Sequence, residues 1–244
     1  GAAAYRNTVD ALGYVRTAIS YREFLEARRA QPPLQRPADV NQAAAGQALA
    51  AAGKRTLTER EAKTLLAHYG LPVPLELLAT SADEAAAHGR TINGPVALKI
   101  ESADIAHKTE AGAIRLGVSG EAAVRQAYDE VCAAALRYKP DAKIAGVLVQ
   151  EMVPRGVEMM LGIVRDPVFG PVIAVGIGGI YVEVMRDITF RVPPVDAPTA
   201  RAMLGELRGY KILEGVRGMP PADIEALVDC IVRLSWLAAD HGDT

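Results

Sequence analysis

The chain has 244 residues, half of them hydrophobic and 23% charged, which excludes a disordered polymer and allows one large domain or two linked subdomains. A formal net charge of -2 without any basic run argues against nucleic acid as the main partner. The two cysteines, Cys132 and Cys230, lack CxxC spacing and read as reduced core thiols; with no signal-peptide pattern and no membrane-length apolar run, the expected compartment is the cytoplasm.

Over residues 9–25 the apolar positions Val9, Leu12, Val15, Ile19, Phe24 and Leu25 recur at roughly helical spacing, so a helix is expected. Residues 31–41 carry Pro32, Pro33 and Pro37 with no periodicity and read as a linker. An alanine-rich helix is expected over 42–52. Thr58 and Glu61 have capping-box spacing, which predicts a helix running to Tyr69 and stopping at Gly70. Leu71-Pro72-Val73-Pro74 forces an extended exit into a strand over 75–78. Ser81 and Glu84 repeat the capping spacing before a helix reaching about Ile92, and Asn93-Gly94-Pro95 turns the chain.

Residues 95–118 then join two apolar strands, 96–98 and 114–118, through a loop carrying Lys99, His107 and Lys108 and a small-residue turn, Ala111-Gly112-Ala113. Two lysines and a histidine between two strands make a receptacle for polyphosphate. A lysine at a strand end is a compact, fixed positive charge. Such a lysine, entering an apolar sheet, needs an anion to offset desolvation, unless it simply stays solvated. The small turn is expected to bring backbone N–H groups close to anionic oxygens. His107 reads in two ways: as an imidazole that can accept and release a phosphoryl group, or as a loop histidine bonded to backbone.

Further on, a helix is expected over 121–138 and strands over 144–152, 157–165, 172–175, 181–185 and 188–192, then helices over 198–208 and 223–239. Gly176-Ile177-Gly178-Gly179 precedes a strand and not a helix, so it is no dinucleotide fingerprint. Mixed elements with adjacent late strands predict an α+β fold with two lobes and antiparallel pairing.

Laid out in order, these residues resemble the ATP-grasp part of the NDP-forming (ADP-forming) acyl-CoA synthetases, in the succinyl-CoA synthetase superfamily, over roughly residues 54–241. The resemblance is carried by Glu61-Ala62-Lys63, Tyr69-Gly70-Leu71-Pro72-Val73-Pro74, Leu98-Lys99-Ile100 and Ser102-Ala103-Asp104-Ile105-Ala106-His107-Lys108. Val149-Gln150-Glu151-Met152, Arg165-Asp166-Pro167-Val168-Phe169-Gly170-Pro171, Gly176-Ile177-Gly178-Gly179-Ile180-Tyr181-Val182-Glu183 and Leu213-Glu214-Gly215-Val216-Arg217-Gly218 continue it. It implies an ATP-grasp fold with nucleotide between two α/β lobes. Residues 1–41 would be the last helix of a preceding CoA-ligase-type domain plus linker, and residues 42–244 the ATP-grasp domain.

The implied reaction is ATP, a carboxylic acid and CoA giving acyl-CoA, ADP and phosphate. This unit would exchange a phosphoryl group between ATP/ADP and a histidine supplied by the partner. The implied cofactors are ATP/ADP and Mg2+. The implied partners are CoA-binding and ligase domains, upstream or on a separate subunit, where acid and CoA bind; no nucleic acid or membrane is implied, and a homo-oligomer is compatible. Which acid is used is not implied. His107 would be a transient phosphohistidine. Lys99, Lys108, Gly112, Val149, Gln150, Glu151, Met152, Glu158, Gly178 and Gly179 would bind nucleotide, the strand at Val149 through its backbone. Glu183 would face the site, and Arg217 would pair with an anion or anchor a turn.

Two departures stand out. Gly112-Ala113 replaces the family's two glycines, which is expected to hold phosphate slightly farther away. The chain also ends at His241-Gly242-Asp243-Thr244, short of the family's terminal strand with its magnesium ligands, so the metal site is expected to be incomplete. A non-catalytic regulatory module of a fused protein, such as a protein acetyltransferase, is the alternative. The histidine–lysine pair and the Phe169-Gly170-Pro171 run argue against a biotin-carboxylase-like ligase.

Overall fold

The structure, a computed structural model, describes residues 8–30, 33–105, 107–179, 187–216 and 218–243. Two compact units result, Gly1–Gln35 and Arg36–Thr244. The first contains helix α1 (Thr8–Ala30), on which Val9, Leu12, Val15 and Ile19 remain exposed.

The second unit runs α2 (Gln42–Ala52), α3 (Glu59–His68), β1 (Glu76–Ala79), α4 (Ala82–Ile92), β2 (Val96–Glu101), β3 (Ile114–Val118) and α5 (Glu121–Tyr138). It continues with β4 (Gly146–Glu151), β5 (Met159–Asp166), β6 (Gly170–Ile177), β7 (Ile188–Arg191), α6 (Ala197–Gly205), α7 (Tyr210–Leu213) and α8 (Ile224–His241). The short α7 was not expected, and the strand expected over 181–185 lies outside the described residues. Cys132 and Cys230 are free thiols. Among the described residues no helix is long and apolar enough to cross a membrane.

The expected linker ends sooner than its composition suggests. Residues 36–41 are fastened to the second unit and are not free. Arg36 donates to the Asp240 carboxylate and lies over the Trp236 ring at 5.2 Å. Asp39 accepts from Arg233 at 3.0 Å, and the Asn41 side chain caps α2 by accepting from the Ala44 N–H. Proline stiffens this segment, and its charged side chains find partners on α8, so composition alone misreads it as loose.

Two antiparallel sheets form, as expected for the later strands. The first has the order β1-β4-β2-β3, the second β5-β6-β7. Strand side chains alternate between faces. In the first sheet Ala79, Val96, Leu98, Ile100, Val147 and Val149 share one face and pack against Ala85 of α4 and Val124, Ala127, Val131 and Ala135 of α5. Each fully buried Val, Leu or Ile contributes about 1.5–3 kcal/mol. The opposite face carries Glu76, Lys99, Glu101 and Gln150, with Ala97 and Leu148 beneath them.

The second core joins Ile173, Val175 and Ile177 of β6 to Met203 and Leu204 of α6 and Ile231 and Leu234 of α8. Helix α3 belongs to both regions. Leu65 enters the second core, while Glu59 and Lys63 lie over the polar face of the first sheet. A full capping box fixes its start: the Thr58 side chain accepts from the Glu61 N–H, and the Glu61 side chain accepts from the Thr58 N–H.

Candidate functional site

On that polar face three lysines from three segments converge on one carboxylate. Lys63 of α3 donates to Glu59 Oε1 at 2.8 Å, to Gln150 Oε1 at 3.2 Å and to Glu76. Lys99 of β2 donates to Glu59 Oε1 at 3.0 Å and Gln150 Oε1 at 2.9 Å. Lys108, from the loop after β2, donates to Glu59 Oε2 at 3.1 Å. The ladder dictates this meeting, because Gln150 stands opposite both Glu76 and Ala97, and Lys99 is two residues along the same face. Lys99 therefore sits inside β2, and not at the strand end expected from sequence, and it has the anionic partner that its desolvation requires.

Three lysines face two carboxylates, leaving one net positive charge. Burial pushes the Glu59 carboxyl up, but hydrogen bonds from Lys63, Lys99 and Lys108 outweigh it and hold the group at about 2. Burial likewise works against charge on Lys63, and its bonds to Glu59 and Glu76 overcome this and raise its ammonium above the ordinary value. Beside them Glu101 is only 2% exposed and neither of its oxygens is hydrogen-bonded; the nearest cation is Arg60, Nε to Oε1 at 3.7 Å. A cavity of about 590 Å3 is lined by Lys63 with Arg60, Val73, Leu75, Glu76 and Glu151 among others; Lys99 and Lys108 do not line it. A second cavity of about 390 Å3 is lined by Arg90 and Glu121, which pair with each other at 2.8 Å, and gathers no comparable set of lysines.

His107 is exposed and begins the turn that carries Lys108. The turn is closed by its own backbone: Ala111 N–H donates to His107 O, Gly112 N–H to Thr109 O, and Ala113 N–H to Lys108 O. These N–H groups are thus committed internally, contrary to the expectation that they would face an anion. Gly112 does need its glycine, since its φ is +62°. Ala113 is fully buried, and its carbonyl accepts from Ile100 N–H. The Gly-to-Ala departure therefore falls in the core. The other end of the loop is pinned by Asp104, which accepts from Lys143 N–H at 2.8 Å.

Glu158, Gly178 and Gly179 also come together. Gly178 N–H donates to Glu158 O at 2.7 Å, and a Cβ on Gly178 would stand 2.7 Å from the Glu158 carbonyl carbon. No hydrogen bond or ion pair among the described residues links this group to the lysines. Of the strand residues, Gln150 joins the lysine cluster. Glu151 accepts from Leu75 N–H at 2.8 Å and lines the cavity. Val149 is buried in the core, and its backbone lies between β1 and β2. Met152 is exposed, with its N–H donated to Pro95 O. Glu183 and Arg217 lie outside the described residues.

Sequence reasoning missed Glu59, Arg60, Lys63, Glu76 and Glu101 as members of the site. Their signals were the i, i+4 spacing of Glu59 and Lys63 and the period-two run of charged and amide side chains on β1, β2 and β4. Among the described residues no group of three or more His, Cys, Asp or Glu side chains could hold a metal ion.

Residues 47–243 match a family model described as an ATP-grasp domain. The chain is 42% identical to the acetate–CoA ligase [ADP-forming] II subunit beta of Pyrococcus furiosus, over 79% of this chain and 82% of that protein. It is also 42% identical to the 4-hydroxybutyrate–CoA ligase [ADP-forming] of Nitrosopumilus maritimus, over 75% of this chain but only 26% of that longer protein. Among solved structures it resembles, at a TM-score of 0.70 and 37% identity, the dinucleotide forming acetyl-coenzyme A synthetase 1 of Ca. Korarchaeum cryptofilum. The match covers 82% of this chain and 86% of that one, which is in complex with coenzyme A and Mg-AMPPCP, its phosphohistidine segment pointing towards the nucleotide binding site.

Proposed function

The chain belongs to the ATP-grasp family, as the ATP-grasp unit of an ADP-forming acyl-CoA synthetase, and from that premise we propose that its lysine cluster receives the phosphates of ATP or ADP. The observation that carries this is the convergence of Lys63, Lys99 and Lys108 on Glu59, with Lys63 also lining a 590 Å3 cavity. Lys99 and Lys108 hold phosphate oxygens as charged donors. The cavity edge formed by Val73, Leu75 and Glu151 takes the nucleoside. Arg60, exposed on its rim, adds a positive charge for the approaching anion.

His107 is the phosphoryl relay in this reading. What supports it is its exposed position, one residue from Lys108. A ring nitrogen forms a bond to the γ-phosphorus as the bond to the β–γ bridging oxygen breaks. ADP leaves with that electron pair, and the proton on the other ring nitrogen goes to water. A second transfer passes the group to the partner's histidine and frees His107. Coenzyme A and the carboxylic acid bind on that partner, a separate subunit or another part of one chain. Mg2+ accompanies the nucleotide; the described residues gather no ligand cluster for it, and no step is assigned to it.

Two variants of the enzyme containing this chain test the reading. Lys99→Ala should weaken ATP binding by about tenfold or more in titration calorimetry, because a half-buried partner of a charged pair is removed. His107→Asn should slow phosphoryl transfer by a factor on the order of a thousand or more while leaving ATP affinity intact. Near-wild-type transfer in His107→Asn would make the histidine structural.

A further inference from the structure

Glu59 is the only side chain that all three lysines reach among the described contacts. An ammonium group has three donors. Lys63 uses its donors on Glu59, Glu76 and Gln150. Lys99 uses two, on Glu59 and Gln150, and Lys108 uses one, on Glu59. Among the described residues, one donor on Lys99 and two on Lys108 therefore remain without an acceptor. These two lysines arrive from different segments on flexible four-carbon stems, and no direct bond can hold two like charges together. The shared carboxylate does so.

We propose that Glu59 is a positioning residue that gathers the Lys99 and Lys108 ammonium groups into one fixed donor set for phosphate oxygens. It also serves as the internal counter-ion that lets three lysines share a half-buried site. This rests on the phosphate-binding reading above. Lys63 is then a structural lysine, saturated by its own partners, and the working donors are those of Lys99 and Lys108. Loss of the Glu59 charge has two opposed effects. The cluster's net positive charge rises from one to two, which favours an arriving anion. The lysines meanwhile repel each other and lose their common anchor. Affinity includes both effects and moves little. The rate of transfer depends on geometry and falls.

The test compares Glu59→Gln, Glu59→Asp and Lys99→Ala in the enzyme containing this chain, by calorimetric ATP affinity and single-turnover ADP formation. Glu59→Gln should bind ATP within about threefold of wild type or more tightly, yet form ADP about a hundredfold more slowly. Glu59→Asp keeps the charge but shortens the reach, and should be about tenfold slow at unchanged affinity. A wild-type rate in Glu59→Gln overturns the inference, as does an equal fall in affinity and rate, which general structural damage would give. If Glu59→Gln does not fold, Glu59→Asp decides, and a wild-type rate there overturns it. Should Lys99→Ala bind ATP like wild type, the phosphate-binding reading falls and this inference with it. If Lys99→Ala loses affinity while Glu59→Gln keeps its rate, the inference alone falls.

Discussion

Burial raises the carboxyl of Glu59, and three lysine hydrogen bonds overcome that and hold it at about 2, below its ordinary 4.5. A carboxyl with a depressed folded value contributes stability that is complete above its unfolded value and is lost as the pH falls through the folded one. The lysine cluster should therefore loosen between about pH 4.5 and 2. Glu61, held at about 2 mainly by the Arg55 hydrogen bond, titrates in the same window, so a wild-type acid transition alone does not separate them. The comparison that does is melting temperature against pH for wild type and Glu59→Gln: the gap between them should be widest above pH 5 and close toward pH 2. Glu101 is buried differently: among the described residues its carboxylate has no hydrogen bond and only Arg60 within ion-pair reach, at 3.7 Å, and a buried ion pair of such geometry repays its desolvation poorly. Glu101→Met should raise stability by about 1 kcal/mol in urea titration; a loss of that size would mean the carboxylate has a bonded partner.

Strand alternation decides which residues meet. β2 places Leu98 and Ile100 in the core and Lys99 and Glu101 on the other face, and β4 does the same with Val149 and Gln150. Helix α3 then supplies Glu59 and Lys63, and its start depends on the Thr58–Glu61 capping box. Thr58→Ala should cost about 1 kcal/mol by thermal melting. Because Glu59 is the first residue of that helix, the variant should also slow ADP formation, with ATP affinity little changed. Gly178→Ala would drive a Cβ against the Glu158 backbone at 2.7 Å and should destabilise by about 1–3 kcal/mol, read by the same melts. Such local devices were legible in the sequence. The Thr58–Glu61 and Ser81–Glu84 spacings and the alanine-rich α2 each marked their element. Lys99 and Lys108 were legible as lysines brought together around one loop. Glu59 and Gln150 were not legible as their partners, because those contacts join α3, β2 and β4 across long stretches of chain. Only the register of the first sheet brings them together. The small-residue turn misled for a related reason: three-dimensional closure took its N–H groups, and composition carries no record of that.

Two cores hold the second unit, one under each sheet, and α3 contributes to the second while facing the first. Residues 36–41 are part of that body through Arg36–Asp240, Asp39–Arg233 and the Asn41 cap. Tyr69, whose hydroxyl donates to Asp240 at 2.7 Å, ties the end of α3 to the same place, and burial with that carboxylate drives its phenol well above the usual range. A chain starting at Arg36 should therefore keep these contacts. A chain starting at Gln42 should lose at least about 1 kcal/mol, the worth of the cap alone, by calorimetry. The strand order of the first sheet has one more consequence. β4 inserts between β1 and β2, and β1, at the sheet edge, pairs with no other strand among the described residues. On the ribosome β1, β2 and β3 all emerge before it. Until Gln150 has been made, the first sheet lacks its middle strand, and Lys63 and Lys99 have lost one of the two acceptors they share. Chain synthesis thus sets the clock for this cluster: Lys63 and Lys99 cannot share Gln150 until residue 151 clears the exit tunnel, and α3 is seated only when the later strands and helices supply the second core.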